Sequence, residues 1–479
     1  MQEKLIYRID DIPPTREVFV LGLQHYLTMF GSTVAVPLLM AESLGIAEDP
    51  VALGILISTM FFVSGITTLL QTTLGNRLPL VQGVTFSFLA PAMAICGMAG
   101  IAEAGFEVKL QHIQGAVILG SLVEILVGYS GLVSAVLRFV GPITIAPTIV
   151  LIGLALFQFG APKAGEHIGI GGLTIALIIL FSQFLSRGSR IFQLFPILLG
   201  ISLAWLVAWI CTTAGLFGTA EDVPRHAAFV SMDNLDNAPW FRVPYPFQWG
   251  WPQFGLAATV GMLAGFVASI VESVGDYYAS ARMSGAPVPT RQTVNRGIGI
   301  EGIGCLIAGI FGTSNGTTSY SENIGAIGLT RVGSRRVVQC GGVIMIILAM
   351  FGKFGGLFTT IPGPIVGGMY CVMFGMIAGV GISNLQFVDL NSVRNLFILG
   401  FALFMGLSVP AYMASGPISF KPPAEPDTLD ILLGLCLDTL KTLGQTGMAV
   451  GALTAFVLDN LVPGTDEERG LLAWKTDGS

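Results

Sequence analysis

Between Glu17 and Asn460, apolar segments recur along the chain, many of them near the roughly 20 residues with which one α-helix crosses the hydrocarbon core of a bilayer. So many cannot share one water-soluble core. Of the 479 residues 53% are apolar and 11% are charged, against about 25% charged in an ordinary soluble domain. The first segment follows the charged, proline-containing MQEKLIYRIDDIPPTRE and runs directly into further spans, so it reads as a transmembrane helix and not as a cleaved signal. The net charge of -6 is spread over separate loops and gives no support for a nucleic-acid partner; the solvent and partner of most of the surface is lipid. Cys96, Cys211, Cys305, Cys340, Cys371 and Cys436 lack the paired spacing of a zinc site or a disulfide framework and read as small core residues. Nothing calls for a cofactor.

Breaks at charged and Gly/Pro-rich stretches divide the chain into about fourteen spans, an all-α polytopic membrane protein. Of the 23 Lys and Arg, 16 fall on one side of the spans and 7 on the other. Basic residues concentrate in cytoplasmic loops, so both termini are expected in the cytoplasm, with the chain in the plasma (cell inner) membrane. Residues 215–253, with Glu221, Asp222, Asp233 and Asp236, would form the longest external loop, and 461–479 a cytoplasmic tail. The leucine-rich stretch 429–443 carries Asp430, Asp438 and Lys441 at helical spacing and fits an amphipathic helix at the outer interface.

Two spans are wrong for continuous helices. Span 3 (80–99) is entered through LPLVQGVTFSFLAPA, which starts at Leu78, and span 10 (315–330) through GTSNGTTSYSENIG, which starts at Gly312. Each reads as a short β-strand followed by a half-helix. Irregular backbone at membrane depth is tolerated only where protein buries it or a wet cavity adjoins it, and a matched pair marks a transporter's binding site. The two stand third in each set of seven spans, so a 7+7 inverted repeat is expected.

Ionisable residues inside spans are costly and ask for a partner or a function. Glu272 and Asp276, spaced i and i+4, share one helix face. Glu322 lies in the second broken span. Glu272 and Glu322 would offer fixed acceptors to a neutral solute bearing N–H or O–H donors, beside aromatic faces of Phe86, Phe88 and Tyr320. Those are the features of a nucleobase site. Glu124, Glu301 and Asp459, near span ends, read as interfacial residues. His25 reads either as a structural histidine or as part of the site. GIGIEG (Gly297, Gly299, Gly302) matches a dinucleotide fingerprint without the βαβ context and reads as small-residue helix packing. Asn315-Gly316-Thr317 lies at membrane depth and is discounted as a glycosylation acceptor.

ENIGAIGLTR (Glu322 to Arg331), LQHYLTMFGSTVAVP with Gln24 and His25, ESVGD and TFSFLAP together resemble the nucleobase/ascorbate transporter family over nearly the whole chain. The resemblance implies a cation-coupled symporter of the elevator type, a homodimer, with a mobile core at 17–135 and 254–355 and a gate at 136–214 and 356–460. By similarity to bacterial uracil-transporting members, Glu272 and Glu322 would hydrogen-bond the base, Phe86 and Ser321 would add main-chain contacts, Tyr320 would stack, Ser32 would line the pocket and Phe374 would approach from the gate. It implies cation coupling through Asp276, with His25, Asn323 and Thr317.

The position four after Glu272 is His in those members and Asp276 here. Histidine suits a proton relay, whereas a carboxylate among Ser and Thr oxygens could hold Na+, a hard cation. Na+ is narrowly favoured over H+ as the coupling ion. From Ser284 to Pro410 the chain looks closest to the animal branch containing sodium-dependent ascorbate carriers, which resemble PNIG where this chain reads ENIG. The retained carboxylate favours nucleobase (uracil, or purines such as xanthine or urate) over ascorbate. An anion transporter of similar build would want a neutral or basic site, and an enzyme would need a nucleophile with its base or a metal cluster, which the four scattered His (His25, His112, His167, His226) do not suggest.

Overall fold

The computed structural model describes residues 5–98, 100–133, 139–218, 226–416 and 428–470. Glu221, Asp222 and Arg225 of the expected external loop, Lys4, Arg138, Lys421 and Lys475, and the tail beyond residue 470 lie outside the described residues. Among the described residues, 10 helices are long and apolar enough to cross a membrane, or up to 11 when a pair bent by 88° (Arg335–Ala349 and Gly352–Phe358) counts as one span.

In chain order the elements are α1 (Thr15–Leu44), α2 (Pro50–Thr73), β1 (Gln82–Val84), α3 (Leu89–Cys96), α4 (Phe106–Ser130), α5 (Pro142–Leu154), α6 (Ile168–Ile179), α7 (Pro196–Thr213), α8 (Leu256–Ser284) and α9 (Arg291–Phe311). They continue with β2 (Thr317–Ser319), α10 (Ser321–Thr330), α11 (Arg335–Ala349), α12 (Gly352–Phe358), α13 (Gly363–Ser383), α14 (Val393–Ala414), α15 (Thr428–Gln445) and α16 (Gly447–Leu461). Their ends follow local chemistry. Asp49 caps α2, its Oδ1 accepting from the N–H groups of Val51 and Ala52, with Pro50 at the first helical position. Gly312 ends α9 at φ 72°, a left-handed conformation that turns the chain towards β2.

The helices pack as two groups. In one, α4 lies on α8 and α9, and α11 lies on α1 and α2; in the other, α13 lies on α5 and α6, and α16 lies on α5 and α14. Close approach depends on small residues. A Cβ on Gly128 of α4 would stand 2.4 Å from the Gly299 nitrogen of α9, and one on Gly65 of α2 would stand 2.5 Å from the Gly342 oxygen of α11. The GIGIEG glycines do the same work: Gly297 receives the Tyr277 ring, Gly299 the Tyr129 ring and Gly302 the backbone of Ile125.

At the heart of the first group, β1 and β2 pair antiparallel with Gln82 opposite Ser319 and Val84 opposite Thr317. Each strand feeds a half-helix. The 8 residues of α3 and 10 of α10 reach about 12 and 15 Å at 1.5 Å per residue, roughly half the hydrocarbon thickness. Since lipid offers no hydrogen bonds, the strand edges are closed by side chains. Thr68 Oγ1 accepts from Gln82 N (2.9 Å) and donates to Gln82 O (3.2 Å), Cys305 Sγ accepts from Thr317 N (3.3 Å), and Asn315 Oδ1 accepts from Thr85 N (3.0 Å).

Three sequence expectations need correction. Glu124 (1% exposed), Glu301 (2%) and Asp459 (1%) are buried, not interfacial. Asp459 is held by Arg394 at 2.9 Å and Arg469 at 3.0 Å. The cysteines are all free, but only Cys96 and Cys305 are buried, and Cys436 is exposed. Finally, Phe88 is fully buried edge-on against Phe266, with ring centroids 4.7 Å apart, and contributes no face to a cleft.

Candidate functional site

The helical face carrying Glu272 and Asp276 turns towards the strand pair. Asp276 is 6% exposed and accepts two hydroxyls, Ser319 Oγ to Oδ2 at 2.8 Å and Ser321 Oγ to Oδ1 at 2.7 Å. Two donors from one β-strand and the first turn of its half-helix thus converge on one carboxylate. Glu272, one turn earlier and half-buried, accepts from Ser87 Oγ at 3.2 Å, a bond reaching across to the first broken span.

Glu322 sits in the first turn of α10, where a carboxylate meets the positive end of the helix. Ser32 Oγ of α1 donates to its Oε1 at 2.5 Å. Ser321 and Glu322 are exposed, so the acidic cluster reaches the surface of the chain at Glu322 while Asp276 lies buried behind it. Glu322 lies within electrostatic reach of both Glu272 and Asp276. The three acids therefore act as one cluster fed by hydroxyl donors from α1, β2, α10 and the first broken span. Among the described residues, none of the three is in an ion pair with Lys or Arg.

Phe86 is half-buried at the start of α3's preceding turn and meets Phe374 of α13 edge-on, with ring centroids 5.9 Å apart. This contact joins the two helix groups. Tyr320 is only 5% exposed: its hydroxyl donates to Val84 O at 2.6 Å and pairs with Thr33 Oγ1 at 3.0 Å, while its ring lies over Gly83. In this geometry Tyr320 clamps the strand pair. A Cβ on Gly83 would be 2.5 Å from that ring, which is why only glycine fits there.

His25 is buried, and Asn323 Nδ2 donates to its main-chain oxygen at 2.8 Å and lies 3.1 Å from its Nδ1, tying α10 to α1. Thr317 is not brought to Asp276; its backbone faces the Cys305 thiol on α9. Sequence reasoning missed Ser87, Ser319 and Ser273. Ser273 Oγ lies 2.9 Å from Thr318 Oγ1 and 3.0 Å from Ser319 Oγ. Its spacing was a usable signal, since it lies between Glu272 and Asp276 on a helix that faces a hydroxyl-rich strand.

The family model Xan_ur_permease, described as "Permease family", matches residues 16–415. Solute carrier family 23 member 2 from Homo sapiens is 46% identical over 510 residues, covering 98% of this chain and 76% of that protein. Nucleobase-ascorbate transporter 1 from Arabidopsis thaliana is 37% identical over 485 residues, covering 98% of this chain and 92% of that protein. Among solved structures, the transmembrane domain of a cyanobacterium bicarbonate transporter, BicA, superposes with a TM-score of 0.52 at 16% identity, covering 90% of this chain and 98% of that one. The murine Solute Carrier 26 family member A9 anion transporter, in its inward-facing state, does so with a TM-score of 0.57 at 13% identity, covering 86% and 68%. The two solved structures bear on the fold alone. By family model and by identity over nearly its whole length, this chain belongs to the nucleobase/ascorbate permease family and is a multi-pass membrane transporter, not an enzyme.

Proposed function

We propose that the protein imports a nucleobase by symport with a cation. The observation that carries this reading is the closeness of Glu322, held by Ser32 and exposed, to Glu272, held by Ser87. Each carboxylate keeps lone pairs free for the N–H donors of a small planar ring. A solute seated there would rest against Phe86, with Phe374 closing from the opposite group. Fourteen spans in two inverted sets of seven, with cytoplasmic termini in the plasma membrane, accommodate both broken spans symmetrically.

In the mechanism we favour, α1–α4 and α8–α11 move as a core past a gate of α5–α7 and α13–α16, two gates forming the dimer contact. Na+ is the coupling ion of choice, at Asp276, whose oxygens already draw in Ser319 and Ser321. Offsetting the Asp276 charge would settle β2 and the start of α10, and with them Glu322, before the core moves. A cluster of uncompensated carboxylates would oppose that passage, which couples the ion gradient to uptake.

Ascorbate is the second reading, favoured by relatives named for both solutes. Uptake of labelled uracil, competed by xanthine, urate and ascorbate, separates the two: competition by a base and not by ascorbate is expected, and the reverse pattern rejects the nucleobase reading. Full uptake in Na+-free buffer with dependence on external acidity would replace Na+ with H+.

A further inference from the structure

Next to β2, where Thr318 reaches α9, lies a second pair of acids with no part in the mechanism above. Glu301 of α9 accepts from Ser269 Oγ at 2.9 Å, Tyr277 OH at 3.1 Å and Thr318 Oγ1 at 3.3 Å. Glu124 of α4 acts on it electrostatically and is 1% exposed. Among the described residues neither Glu124 oxygen accepts a hydrogen bond; a polar neighbour besides Glu301 is the Cys305 thiol, which is turned towards Thr317 O at 3.3 Å. The other titratable groups acting on the pair are Tyr277 and Glu272, and among the described residues neither carboxyl is in an ion pair.

Two buried, adjacent carboxylates without a countercharge cannot both ionise at tolerable cost. The asymmetry of donors assigns the roles. Three hydroxyls stabilise a charge on Glu301, whereas none stabilises one on Glu124. We propose that Glu124 and Glu301 form a proton-binding site separate from the substrate cleft, with Glu124 the protonated acid and Glu301 its ionised partner. A hard cation fits less well, because the donor hydroxyls already occupy Glu301 and the nearest other group is a thiol, a soft ligand.

The site is connected to the cleft. From Glu301 a chain of hydroxyls runs through Thr318, Ser273 (2.9 Å) and Ser319 (3.0 Å) to Asp276 (2.8 Å). The inference does not depend on which solute is carried.

Infrared spectroscopy of the full chain in lipid vesicles near neutral pH tests it. A carbonyl-stretch band of a protonated carboxylic acid is expected in the wild type, lost in Glu124→Gln and retained in Glu322→Gln. Persistence of the whole band in Glu124→Gln overturns the proposal. Replacing a bulky organic-cation salt by NaCl on the wild type is expected to leave the band unchanged; its disappearance would make the pair a cation site instead. Should Glu124→Gln not accumulate, Glu124→Asp is expected to shift the band, and an unshifted band counts equally against the proposal.

Discussion

The two broken spans share a plan, a three-residue strand followed by a half-helix, yet they are chemically unlike. The first, Gln82 to Cys96, carries no ionisable carboxylate or base; its contributions are the Ser87 hydroxyl and the Phe86 ring. The second, Thr317 to Thr330, supplies Ser319, Ser321, Glu322 and Asn323, all engaged in side-chain hydrogen bonds. One span gives shape and contact with the opposite helix group, and the other gives charge and donors. Structural symmetry thus need not extend to chemistry: both spans pack on α8, and the polar burden falls on the second.

Four substitutions probe that division. The largest effect is expected from Glu322→Gln in the second span. Losing a charged acceptor costs about 1.5–3 kcal/mol, so uptake efficiency should fall roughly 10- to 150-fold with expression intact; unchanged uptake kinetics would remove Glu322 from the site. Gly83→Ala in the first span comes next. Its Cβ would strike the Tyr320 ring at 2.5 Å, and such overpacking costs about 1–3 kcal/mol, measurable as a lowered melting temperature together with reduced uptake. Retention of wild-type stability would mean that Tyr320 does not clamp the strands. Ser321→Ala removes one of two donors from Asp276 and should weaken cation activation several-fold, about 1 kcal/mol, with little change in stability; an unaltered cation-activation curve contradicts the coupling role proposed for Asp276. The smallest effect belongs to Phe86→Leu, which keeps apolar bulk and loses the edge contact with Phe374, worth about 0.5–1.5 kcal/mol. A few-fold rise in KM is expected, and a loss as deep as that of Glu322→Gln would erase the distinction between the two spans.

What could be read from sequence tracks what is local. Pro79, Gly83 and Pro91 announced one helix break and the Gly/Ser/Thr run another, because backbone punctuation is encoded where it acts. Glu272 and Asp276 declared a common face through their spacing. The pairing of Glu124 with Glu301 is not legible in the sequence because the two stand on different helices, and their meeting depends on how α4 lies on α9. A local trace existed: Gly128, four residues after Glu124 and on the same face, is the point of closest approach to Gly299. Tyr320 posed the opposite difficulty. An aromatic beside a carboxylate suggests a solute platform, but its hydroxyl finds Val84 O and Thr33, groups far away in the chain.

The register that sets Gln82 against Ser319 also bears on biogenesis. When the first broken span enters the bilayer, its mate has yet to be translated, so β1 must wait with one edge unpaired in a medium that supplies no water. Thr68, on the helix inserted just before it, already serves both polar groups of Gln82. That early protection would let the nascent amino-terminal half persist until its complement arrives, so that the central strand pair closes only once the chain has been made as far as β2.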